Sequence, residues 1–201
     1  MKKYPFLISA FLLLASACSK APPAPVIDMN PKDLLIGGDS LPAGGGYGNG
    51  VQQAYPNSMF KNDYVSKSGR VYAYGVSFTR GANFQGPVSL SDEAILYKDA
   101  DGAKYSLQTY FPTLCQAPNY AIVNNYFIGD GTLVCTQVAN NQAGTPNIYW
   151  IYFIYKNVGH LITGSGGQGE VTPAFMQGLA QSALQILQKV PLNGNTVTFT
   201  P

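Results

Sequence analysis

The chain has 201 residues, of which 46% are hydrophobic and only 11% charged, and its formal net charge is +2 at pH 7. That length holds one domain with a leader or tether. The near-neutral balance supplies no basic stripe for nucleic acid and no field that would steer a charged substrate. Polarity falls instead to Tyr, Asn, Gln and Thr, neutral hydrogen-bonding side chains that suit contact with proteins or glycans. At the start, Lys2 and Lys3 precede an apolar run from Phe6 to Leu14, and Ala15-Ser16-Ala17 lead into Cys18. A charged start, an apolar middle and small residues at the cut predict a secretory signal peptide over residues 1–17. The apolar run is far shorter than the roughly 20 residues that span a bilayer.

Ala15-Ser16-Ala17-Cys18 resembles the lipobox of bacterial lipoproteins, with Ala15 where that family usually has Leu. The resemblance implies that the Cys18 thiol is diacylated, that the leader is cut just before it and that the new amine is acylated. Several acyl chains hold far better than the marginal single one, so the membrane is the first expected partner. Ser19 stands where lipoproteins kept at the inner membrane have Asp, which implies the cell outer membrane, with the domain facing the periplasm. Lys2 and Lys3 leave with the leader, so the mature chain carries ten basic and ten acidic residues.

From Cys18 to about Asn57 the chain shows no sustained periodicity. Ala21-Pro22-Pro23-Ala24-Pro25 is extended and cannot enter a helix, and the glycines from Gly44 to Gly50 favour a flexible coil. Residues 18–57 are therefore predicted to be a lipid-anchored tether, and residues 58–201 an α+β domain. Cys115 and Cys135 remain once Cys18 is acylated, and an even pair in an exported protein predicts a disulfide. Two cysteines and a lone His160 furnish no metal site, and no cofactor is expected.

The body reads as consecutive hairpins. A strand is predicted over Arg70–Phe78. Glu93–Tyr97 and Lys104–Phe111 flank the turn-forming Asp99-Ala100-Asp101-Gly102, Tyr120–Ile128 and Thr132–Val138 flank Gly129-Asp130-Gly131, and Asn147–Tyr155 and His160–Thr163 meet around Lys156-Asn157-Val158-Gly159. The run Ile148–Tyr155 is apolar or aromatic on both faces, so this strand is expected to be covered on two sides. Thr172 can cap a helix, Pro173 suits its first position, and Phe175, Met176, Leu179, Ala183, Ile186, Leu187 and Val190 recur at helical spacing before Pro191. A short strand over Thr196–Thr200 is expected to close the domain. The predicted fold is an antiparallel sheet of hairpins with the C-terminal amphipathic helix packed on one face. This order is loosely similar to the PsbP/Mog1-like sandwich, with no motif residue behind the likeness.

Leu34-Leu35-Ile36-Gly37-Gly38-Asp39-Ser40-Leu41 is similar to the first block of GDSL (SGNH) esterases, in which the serine is the nucleophile and a C-terminal Asp-x-x-His supplies the base. The resemblance implies Ser40 as nucleophile and His160 as base. It departs from the family at Asn157, which stands where the acidic member belongs, and an amide cannot stabilise the imidazolium that forms; the analogous loss in a serine protease costs about four orders of magnitude. No counterpart of the family's oxyanion-hole blocks is present. His160 otherwise reads as a hairpin residue with a satisfied hydrogen bond, Ser91-Asp92-Glu93 as a solvated strand entry, Asp99, Asp101 and Gly102 as a turn, and Gly164–Glu170 as a flexible connector. The expected function is that of an outer-membrane lipoprotein that binds or scaffolds other envelope proteins without catalysis, such as a subunit of a trans-envelope, secretion-type assembly. The alternative is a membrane-anchored esterase using Ser40 and His160.

Overall fold

The computed structural model describes residues 23–42, 44–116, 120–123, 126–137, 147–167 and 169–200. The signal peptide and Cys18 lie outside these residues. Among the described residues seven strands form one antiparallel sheet: β1 (Val51–Tyr55), β2 (Arg70–Thr79), β3 (Ser89–Tyr97), β4 (Tyr120–Val123), β5 (Gly131–Gln137), β6 (Ile148–Tyr155) and β7 (Val158–Ser165), in the order β1-β2-β3-β7-β6-β5-β4. The helices are α1 (Asn62–Ser68), α2 (Ala100–Tyr105), α3 (Phe111–Leu114) and α4 (Pro173–Lys189). The α+β architecture expected from the sequence is the one found.

Helix α4 forms as its pattern dictates. The Thr172 hydroxyl accepts from the Phe175 amide, Pro173 opens the first turn, and Met176, Leu179, Ala180, Ala183 and Leu187 are buried along one stripe. That stripe lies over β6 and β7 and meets Val158, Ile162, Ile151 and Phe153 in the larger core. β6 is covered on both faces: Tyr149, Ile151 and Phe153 enter the α4 side, while Tyr152 and Ile154 enter a second core with Ile95, Tyr97 and Phe111. Alternate side chains of a strand point to opposite faces, which is why an uninterrupted apolar run needs cover on both.

The second cover comes from a stretch expected to be half of a hairpin. Lys104–Phe111 is not a strand; α2, a π-helical turn over Ser106–Tyr110 and α3 make one helical passage from Ala100 to Leu114. The Asp99 carboxylate accepts from the Gly102 amide 2.8 Å away, so the group read as a turn former is a helix N-cap. Gly102 is required there because a Cβ would sit 1.9 Å from the Ser68 carbonyl oxygen where α2 crosses the end of α1. Gly69, with φ +59°, ends α1 in the left-handed conformation that favours glycine. The other two pairings form. β4 pairs with β5, but it ends at Val123, so residues 126–128 are not the strand expected there and Gly131 lies inside β5; β6 pairs with β7 through a turn at Lys156-Asn157 that leaves Val158 and Gly159 inside the strand. Val138, placed at the end of β5 by the sequence, falls outside the described residues.

Most of the segment expected to be a tether is packed into the domain. From Val26 onward the segment belongs to the domain: Val26, Ile27, Leu34, Ile36 and Leu41 are buried, a 3₁₀ turn over Pro31–Leu34 lies over β2 and β3 beside α4, and β1 is an edge strand of the sheet. These apolar residues are broken up by Pro and Gly and carry no period of 2 or 3.6, so they left no signature of an element. Thr196–Thr200 is not a strand either. It is laced to Asp28, whose carboxylate accepts from the amides of Thr198 and Phe199.

Cys115 and Cys135 form the expected disulfide, with their Cα atoms 6.0 Å apart. It ties the end of α3 to the middle of β5, and so fastens the second helical layer to the sheet.

Candidate functional site

His160 sits in the middle of β7, opposite Ala94 of β3, on the face that α4 covers. Its side chain is fully buried, stacks on Phe153 with ring centroids 5.3 Å apart, and places Nδ1 2.7 Å from Oδ1 of Asp92. Asp92 is equally buried, and its Oδ2 accepts from the Ile36 amide at 2.9 Å. The acidic run is therefore an interior part of a central strand rather than a solvated strand entry. A carboxylate without water needs donors on both oxygens, and the imidazole Nδ1–H and the Ile36 amide supply them. His160 thus has a carboxylate partner 68 residues away in sequence. The legible signal was the alternation Leu90, Asp92, Ala94, which sets an acidic residue among inward-facing apolar ones.

Ser40 does not join this pair. The His160 Nε2, the atom that would accept the serine proton, has no hydrogen-bond partner. Ser40 ends a 3₁₀ turn (Gly38–Ser40) and lines a shallow, open hollow of about 320 Å³ with Leu41, Pro42, Phe175 and Ser182. His160 is not among its walls. A general base must come within hydrogen-bond reach of the proton it takes, and a fully buried ring in a packed core offers no approach to substrate. Asn157 does not stand behind His160: its amide oxygen accepts from the Ile27 amide, while its nitrogen donates to the carbonyls of Ile27 and Tyr97. His160, the base of the esterase alternative, and Asn157, at its acidic position, have structural posts. Asp92 and Asn157 are the two interior side chains that hold the Ile27–Ile36 segment onto the sheet.

The opposite face buries a second polar group. Arg70, from the start of β2, donates to Asn57 Oδ1 and to the Tyr55 carbonyl, lies over the Phe60 ring, and stands 3.9 Å from the Glu93 carboxylate. Burial pushes Glu93 up to about 7, and the Arg70 cation only partly opposes that rise. Deeper in, the hydroxyls of Tyr152, Tyr97, Tyr64 and Ser106 run in a chain with separations of 2.9, 3.1 and 3.3 Å. Burial holds the Tyr97 and Tyr152 phenols well above their ordinary range. This chain satisfies hydroxyls under the helical layer; it has no nucleophile and base facing an open cleft.

The connector Gly164–Glu170 is more structured than the sequence suggested. β7 runs through Ser165, and Glu170 accepts from the Gly167 amide and pairs with Arg80 at 2.8 Å. Among the described residues no group of three or more His, Cys, Asp or Glu side chains could hold a metal ion. Asp99, once its carboxylate caps α2, is committed to that cap. Among the described residues no helix is long and apolar enough to cross a membrane.

No protein-family profile matches the chain, and no curated protein does. A solved structure does match: the extracellular domain of PknH from Mycobacterium tuberculosis is similar over 83% of this chain and 99% of that one, with a TM-score of 0.52 and 15% sequence identity. At that identity the likeness is one of fold.

Proposed function

We propose that the protein is an outer-membrane lipoprotein, anchored through acylated Cys18, whose domain binds or scaffolds other envelope proteins without catalysis, as a subunit of a trans-envelope, secretion-type assembly. The observation that carries this reading is the Cys115–Cys135 disulfide, which belongs to an oxidising compartment outside the cytoplasm. The similar solved fold is itself an extracellular domain, which supports the same side of the membrane. The commitment of Asp92 and Asn157 to core contacts, and the lack of any partner on His160 Nε2, favour binding over ester hydrolysis.

The corrected tether bears on how the domain would work. With Val26 already packed, only eight residues, 18–25, separate an acylated Cys18 from the core, and eight residues span at most about 30 Å. The domain would ride close to the bilayer, on the side where Pro23, Ala24, Asp99 and Lys104 line one open hollow. Partners would engage the surfaces turned away from it.

Intact-mass measurement and membrane fractionation of the wild type and of Cys18→Ala test the anchor. An acylated N-terminal Cys18 in outer-membrane fractions, lost in the variant, supports the reading; cleavage elsewhere with no lipid overturns it. Hydrolysis of a short-chain ester that disappears in Ser40→Ala would overturn the non-catalytic part. Stoichiometric co-purification of envelope proteins from detergent extracts tests the assembly.

A further inference from the structure

The sheet ends at β4, and from Tyr105 to Tyr155 the only charged residue is Asp130. Strands β4, β5 and β6 carry no charge at all. Among the described residues no strand pairs with the outer edge of β4, which is bonded only to β5. Ile122 is 46% exposed and Phe127, just past the strand, is 92% exposed. Edge strands normally carry a Lys, a Pro or a bulge that blocks further pairing. Tyr120-Ala121-Ile122-Val123 has none, and its register with β5 is unbroken.

We infer that β4 is a homodimerisation edge, at which a second copy of this chain adds its own β4 antiparallel and extends the sheet across a two-fold axis. The charge pattern selects that occupant. A strand with no charge meets its own copy without like-charge repulsion, and a two-fold axis normal to the sheet makes it self-complementary. Tyr120 and Ile122 of both copies then share one face, where Tyr120 already packs on Trp150 with ring centroids 5.1 Å apart. Ala121 and Val123 of both copies share the other. Isologous pairing of this kind closes at two copies, whereas pairing of β4 with the opposite edge, β1, would leave free ends and grow. β1 is the poorer mate because two of its three exposed residues, Gln52 and Gln53, are polar.

Sedimentation of the full chain in density-matched detergent, for the wild type and for Ile122→Lys and Val51→Lys, decides the matter. Both positions are exposed, at 46% and 72%, so neither change disturbs the core. The wild type is expected to dimerise with rising concentration, Ile122→Lys to weaken the dimer about ten-fold or more, and Val51→Lys to leave it unchanged. A wild type that stays monomeric at the highest concentration reached overturns the inference. So do species larger than the dimer that Val51→Lys abolishes, and so does a dimer indifferent to Ile122→Lys. Lipidation is read separately by mass, so a failed anchor and a failed dimer are distinguishable.

Discussion

His160 and Asp92 face each other from neighbouring central strands, Nδ1 to Oδ1 at 2.7 Å, with neither side chain exposed to solvent. The pair looks like half of a catalytic triad, yet its third partner is the Ile36 amide rather than a nucleophile. It works as a buried clasp between the sheet and the Ile27–Ile36 segment. Breaking such a pair from one side leaves an uncompensated polar group in the core. Asp92→Ala is expected to cost about 3–5 kcal/mol in denaturant unfolding, with faster amide exchange at Ile36. A loss below about 1 kcal/mol would mean that water reaches the pair.

Asn157 is the second clasp. Its side chain makes three hydrogen bonds, two to Ile27 and one to Tyr97, in a place without solvent. Asn157→Ala strands those backbone groups, and each unmet buried group costs about 1–3 kcal/mol. The expected result is selective loosening of residues 26–36, seen as new protease cleavage there while α4 stays protected. Uniform loss of protection across the chain would argue that the segment is inseparable from the core.

Glu93 makes stability depend on pH. Its folded value of about 7 lies above its ordinary 4.5, chiefly through burial. Between those values the folded chain keeps a proton that the unfolded chain releases, so stability falls as pH rises through that window and levels off above it. With the side chain 20% exposed, the effect is on the order of 3 kcal/mol at most. Arg70 is held by Asn57 and the Tyr55 carbonyl, so Glu93→Gln leaves it partnered. Thermal melts from about pH 5 to pH 8 should decline for the wild type and run flatter for Glu93→Gln; parallel curves would refute the assignment.

The disulfide closes a loop of 20 residues in sequence separation. In the chain-entropy model that is about 3 kcal/mol of stability. The Cys115→Ser/Cys135→Ser double variant is expected to lose that much, and to open the α3 end of the helical layer before the sheet. Hydrogen exchange at Phe111 and Leu133 under reducing and oxidising conditions checks both statements. Two reactive thiols in the unreduced native protein would exclude the bond.

What the sequence determined alone was whatever local pattern and capping chemistry enforce. The stripe from Phe175 to Val190, capped by Thr172 and Pro173, became α4, and the two-sided apolar run Ile148–Tyr155 became a strand covered on both faces. The cysteine pair read correctly because covalent chemistry needs only parity and compartment. Tertiary structure decided the rest. Residues 104–111 alternate well enough for a strand, but the Asp99 cap and the need to cover Ile95, Tyr152 and Ile154 made the whole of 100–114 helical. Residues 26–42 have no periodicity, and they are core only because the sheet leaves a place beside α4 for Ile27, Leu34 and Ile36. Asp92 and His160, 68 residues apart, meet because β3 and β7 are neighbours in the sheet. Such pairings depend on strand order, which is set by the sum of long-range packing and leaves no mark within any short window of sequence.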